Sequence, residues 1–124
     1  MKTLQKTLVT TGGILFALFG TFHMFFWSMF DWKNELARLS TVNSNIMQML
    51  NIGCGFIEFS FAYIFIFNRN QVIDSRLGKI LLVISGFFYF IRLVMEFVFP
   101  EGSLVFGFIL LLCGSIYIVP AFIK

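Results

Sequence analysis

Charge is what this sequence has least of. Nine Lys and Arg and six Asp and Glu make up 12% of its 124 residues, about half the share of an ordinary soluble domain. With 59% hydrophobic residues and 19 Phe, there is too little polar surface to cover a core in water, and a water-soluble globule is excluded. The mean hydropathy of +0.92 says the same. Cysteine is nearly absent: Cys54 and Cys113 both lie in apolar stretches without Cys-x-x-Cys or Cys/His ligand spacing, so neither a disulfide framework nor a zinc ribbon is expected. His23 is the only histidine, so a bis-His haem would need two chains, and a metal site would need Glu58, Glu96, Met24 or Cys54 to complete it. The same scarcity argues against hydrolase chemistry, because Ser60, Ser85 and Ser115 have no His/Asp partners at nucleophile spacing. Met24, Met47, Met49 and Met95 read as packing residues rather than soft-metal ligands. The residues specify no cofactor.

What remains is apolar sequence in four segments, residues 8–30, 46–67, 80–99 and 104–123, each about long enough to cross a bilayer with modest tilt. The fold expected is all-α: an integral membrane four-helix bundle forming one domain over residues 1–124, with no room for an extramembrane domain. The first segment follows Lys2 and Lys6 as a signal peptide would, but its apolar run is too long and no small-x-small cleavage site is present, so it reads as a retained helix.

The net charge of +3 does not point to nucleic acid, because the basic residues are scattered over short loops. They follow topology instead. With the N-terminus inside, the inner side holds Lys2, Lys6, Arg69, Arg76, Lys79 and Lys124, the outer loops hold only Lys33 and Arg38, and Arg92 lies within the membrane. That bias places both termini in the cytoplasm, in a bacterial-type inner membrane, and disfavours dual topology. The connection 31–45 carries Trp32, Leu36 and Leu39 at helical spacing beside Lys33, Glu35 and Arg38, which predicts a short interfacial amphipathic helix between helices one and two. Asp31 is its expected N-cap, Trp27 and Trp32 its headgroup anchors, and the polar run from Ser40 restarts the chain. Pro100, Glu101 and Gly102 make a tight turn between the last two helices.

Polar residues are placed regularly. Ser44, Gln48, Asn51, Gly55, Glu58 and Ala62 share one face of the second segment, and Ser85, Tyr89, Arg92 and Glu96 share one face of the third. Gly12, Phe16, Gly20, His23 and Trp27 form a row in the first, and Ser103, Gly107, Gly114 and Ala121 one in the fourth; small residues of this kind let membrane helices approach closely. At 1.5 Å per residue, His23 and Arg92 fall about 10 Å below the outer boundary, Asn51 about 8 Å, Glu96 about 5 Å and Glu58 roughly 18 Å. A buried Arg or acidic residue costs roughly 2.5–3.5 kcal/mol on insertion scales, so these groups should face one another or a hydrated cavity. The expected arrangement is an Arg92–Glu58 bridge with Tyr89, Asn51 and His23 as further partners, Arg92 also being able to pair with Glu96.

Three functions follow as expectations. The first is an outer-half polar cavity that binds or conducts a small ion, proton or amphiphilic solute, with Glu58 coordinating, Arg92 balancing its charge, and His23, Asn51, Tyr89 and Glu96 shaping the mouth. The second is a non-transporting accessory or assembly subunit whose glycine rows dock on a larger membrane partner or on a second copy. The third is a membrane-embedded redox or lipid-modifying enzyme using His23 and Glu58.

Overall fold

The polar start of the chain does not delay helix formation. In the computed structural model, which describes residues 1–123, α1 spans Lys2–Met24, beginning well before the apolar run at residue 8. Gln5 explains the early start. Its side chain is buried, and its Nε2 donates to the carbonyl of Ile123 at 2.7 Å and, at 3.4 Å, to that of Pro120. It thereby satisfies carbonyls at the end of the last helix that have no helical N–H to meet.

Two short helices follow, α2 at Phe26–Met29 and α3 at Trp32–Glu35, and then a 3-10 turn at Leu36–Arg38. The interfacial element expected in residues 31–45 is therefore this broken pair of turns. Trp32 and Leu36 are buried and Leu39 is exposed, so the segment turns its first two apolar residues into the bundle. Asp31 sits at the N-cap position in a left-handed conformation (φ 47°), but its carboxylate caps no backbone N–H. It accepts two hydrogen bonds from the Asn34 side chain, at 2.8 and 3.0 Å.

The second long helix, α4, spans Thr41–Phe67 and is capped by Ser40, whose hydroxyl accepts from the Asn43 N–H. A short helix, α5 at Arg69–Asp74, then turns the chain and buries Val72 and Ile73. The long helices α6, at Arg76–Val98, and α7, at Leu104–Phe122, are capped in the same manner by Ser75 and Ser103. No strand occurs among the described residues, and α1, α4, α6 and α7 are each long and apolar enough to cross a membrane. Lys124, counted among the inner basic residues, lies outside the described residues.

The lateral order of the long helices is α4, α1, α7, α6: α1 packs on α4 and on α7, and α7 packs on α6. Glycines set these approaches. Gly13 and Gly20 admit Ile66 and Phe59 of α4, Gly12 admits Tyr117 of α7, and Gly86 and Gly114 bring α6 and α7 together. Phe16, Phe65, Tyr89 and Tyr117 form the aromatic centre, with Tyr89 and Tyr117 stacked at 5.3 Å and 4°. Outside, large apolar side chains such as Phe56, Val98, Leu104 and Phe122 are 70–80% exposed. A surface of this kind requires lipid contact. Because α4 and α6 share no packing interface of their own, the bundle is left with one open seam.

Candidate functional site

The end of α1 and the middle of α4 are locked by two hydrogen bonds. Asn51 Nδ2 donates to the His23 carbonyl at 2.9 Å, and Asn51 Oδ1 lies 2.7 Å from His23 Nδ1. Since the amide donor is committed to the carbonyl, the oxygen must accept from the ring. A neutral His23 therefore carries its proton on Nδ1 and keeps a lone pair on Nε2. Phe26 stacks on the ring at 4.5 Å, and Nε2 faces Glu58 Oε2 at 3.8 Å, longer than a hydrogen bond. Asn51→Leu is expected to cost about 1–3 kcal/mol by stranding these groups. It should also abolish the Nδ1-protonated signature of His23 in nitrogen NMR, while thermal unfolding in detergent reads the stability loss.

Glu58 is 4% exposed, and its Oε2 has no hydrogen-bond partner. The expected Arg92–Glu58 bridge is not formed. Arg92 Nη1 pairs instead with Glu96 Oε2 at 3.0 Å within α6, its guanidinium lies 5.6 Å from the Phe106 ring, and its side chain is 46% exposed. Glu96 Oε1 accepts from the Ser103 N–H at 2.9 Å, so this pair staples the α6–α7 turn. Tyr89 joins neither carboxylate. Its ring belongs to the stacked centre, and its buried hydroxyl is unpartnered. The physical reason is that α4 packs on α1 and α6 on α7, without a packed α4–α6 interface, so the polar faces of these two helices make no direct pair. Of the six residues expected to gather, His23, Asn51 and Glu58 do so, Arg92 pairs with Glu96 alone, and Tyr89 packs in the aromatic centre against Phe16 without a hydrogen bond to Glu58.

Glu58 stands instead beside the seam. Between α4 and α6 lies a cavity of about 250 Å³. Phe16, Glu58 and Ser85 form its buried floor, with Phe61 beside them, and Cys54, Ile57, Ile84 and Phe88 form an exposed rim that faces lipid. Ser85 differs from four other hydroxyls of the long helices. Thr7, Thr21, Ser60 and Ser115 each donate to the carbonyl four residues before them, whereas the buried Ser85 Oγ has no partner. Glu58 Oε2 and Ser85 Oγ are thus two buried, unsatisfied oxygens on residues that line one cavity, and groups of this kind ordinarily cost free energy; the cavity surface itself is apolar. A smaller hollow of about 190 Å³ is lined by His23, Asn51, Gln48, Trp27 and Trp32, without Glu58.

Sequence reasoning did not assign Ser85, Cys54 or Phe16 to a site. Ser85 was detectable, since it stands one turn before Tyr89 on the polar face of α6. Phe16 shares the row of Gly12, Gly20 and His23 on α1, but that row signalled close helix packing rather than a cavity. Among the described residues, no three His, Cys, Asp or Glu side chains are grouped to hold a metal ion. No protein-family model, curated protein or solved structure matches the chain.

Proposed function

We propose that the chain is a membrane-embedded binding protein for a small amphiphilic solute, which enters from the bilayer through the α4–α6 seam and meets Glu58. One observation carries this reading: Glu58 and Ser85, each with a buried, unpartnered oxygen, line one cavity whose rim is apolar and exposed. A few convergent polar groups in an apolar pocket orient a ligand without excluding its hydrophobic body. An ion-conducting path would need polar groups along its length, and the surface of the seam cavity is apolar throughout. The orientation belongs to the same proposal. Lys2, Lys6, Arg69, Arg76 and Lys79 lie towards the end of the bundle that carries the termini, Lys33 and Arg38 towards the other, which favours cytoplasmic termini in a bacterial-type inner membrane.

Cys54 supplies the test, because it lies on the exposed rim while Cys113 is buried in α7. In phosphatidylcholine vesicles, N-ethylmaleimide should modify Cys54, and a solute seated in the seam should slow that reaction. The probes are phenylbutylammonium, phenylbutanol and phenylbutyrate, with concentrations expressed in the lipid phase. Protection by at least one supports the reading, and an unchanged rate with all three overturns it.

A further inference from the structure

We infer that a polar hollow at the start of α1 binds the headgroup of an anionic phospholipid, with the phosphodiester held between Lys6 and Arg69 and the acyl chains lying in the bilayer beside the bundle. The hollow shares no residue with the seam cavity, and the inference does not depend on what the seam binds.

Two elements build the hollow. Thr3, Lys6, Thr7 and Thr10 lie on one face of α1, and Arg69 opens α5. With Thr11 they line a space of about 300 Å³. The chain is 59% hydrophobic and has six threonines, yet four of those threonines and two cations meet here without a Leu, Ile, Val or Phe among them.

The hollow offers donors and positive charge but no carboxylate. Arg69 Nη1 donates to Thr10 Oγ1 at 3.3 Å, which turns the guanidinium towards α1 and leaves further N–H groups of its fork to donate. Asp74, the acid at this end of the bundle, is taken by Lys2 at 3.4 Å. Among the described residues, neither Lys6 nor Arg69 forms an ion pair. Thr7 gives its hydroxyl proton to the Thr3 carbonyl, whereas Thr10 accepts from Arg69 and keeps its own proton for another acceptor. Two cations and a hydroxyl donor around one space match the charged oxygens of a phosphodiester.

Depth decides for a lipid over a dissolved anion. The apolar run of α1 begins at Leu8, so the hollow straddles the level at which the helix enters the hydrocarbon. One turn deeper on the same face as Thr10, Ile14 is 50% exposed, and Phe67, two residues before Arg69, is 71% exposed. A phosphate held here continues into acyl chains that cover such side chains, and basic residues at this depth attract anionic lipid. Headgroup charge narrows the class. Choline would bring a quaternary ammonium against Lys6 and Arg69, whereas a glycerol headgroup would bring hydroxyls to the threonines.

Native mass spectrometry of the full chain in non-ionic detergent, titrated separately with dioleoyl phosphatidylglycerol and dioleoyl phosphatidylcholine, tests the site. One phosphatidylglycerol should bind about tenfold more tightly than phosphatidylcholine. Lys6→Gln combined with Arg69→Gln should reduce that preference to about twofold or less. Arg76→Gln combined with Lys79→Gln removes as much charge from the same end of the bundle and should leave the preference in place. Equal affinity for the two lipids overturns the inference. A preference that falls equally in both double variants also overturns it, because a basic membrane surface alone would behave so. Millimolar inorganic phosphate should not release the bound lipid, and release would make the hollow a site for dissolved phosphate instead. Lys6 and Arg69 are both exposed, so their replacement leaves the core untouched. The wild-type comparison of the two lipids and phosphate decides even if a variant fails to fold.

Discussion

Gly12→Leu is expected to abolish the folded bundle. A Cβ at Gly12 would lie 2.5 Å from Tyr117 Cε1 and 3.0 Å from Cδ1, and the tyrosine ring has nowhere to retreat. It is fully buried, stacked on Tyr89, and tilted against Phe16 at 4.9 Å and Phe65 at 5.8 Å. Its hydroxyl donates to the Gly12 carbonyl at 2.6 Å, a bond that α1 can keep only by staying this close to α7. Overpacking alone costs about 1–3 kcal/mol, and four added carbons at a helix contact exceed the usual case. Losing the hydrogen bond adds about 1 kcal/mol. Their sum is a large part of a total stability of roughly 5–15 kcal/mol. In lipid the loss is not offset by a hydrophobic force between helices, because tight van der Waals contact is what holds them together. Tyr117→Phe, which removes only the hydroxyl, should cost about 1 kcal/mol. Gly53→Leu is the control, since nothing lies within 4 Å of a Cβ there. Thermal unfolding in detergent, together with the yield of monodisperse protein, reads all three. A Gly12→Leu midpoint equal to that of Gly53→Leu would refute the packing argument.

That argument uses a glycine row that was legible in the sequence, and so were the four long helices and the tight turn at Pro100, whereas the caps made by Ser75 and Ser103 were not assigned. Periodicity and hydropathy are properties of one helix at a time, and there the reading succeeded. Helix order is a property of pairs. Between α4 and α6 the polar run around residues 68–75 reads as a plain loop, yet Val72 and Ile73 fold it into α5, which packs on α6 and α1 and lets the two long helices part. Without that knowledge, Glu58 and Arg92 look like partners, and the seam that separates them leaves no trace in composition. Early helix formation in α1 was hidden for a related reason. Lys2, Thr3, Gln5, Lys6 and Thr7 lower the hydropathy, and the burial of Gln5 depends on the far end of the chain. His23, Asn51 and Glu58 were found because α1 and α4 are true neighbours joined by a short connection.

Ser85→Leu is expected to eliminate binding of radiolabelled phenylbutanol to the protein in phosphatidylcholine nanodiscs, with the fold intact. Ser85 is buried, lines the seam cavity and makes no hydrogen bond, so its replacement breaks none. A leucine side chain there enters empty space bounded by Phe16, Ile57 and Phe61, and filling an apolar void contributes about 1 kcal/mol of stability. The thermal midpoint should therefore hold or rise while binding falls about tenfold or more, the opposite of what a destabilising mutation produces. Ser60→Leu is the matched control, because Ser60 bonds to its own helix at Phe56 and does not line the cavity. If Ser85→Leu binds the probe as wild type does, the ligand does not occupy the seam.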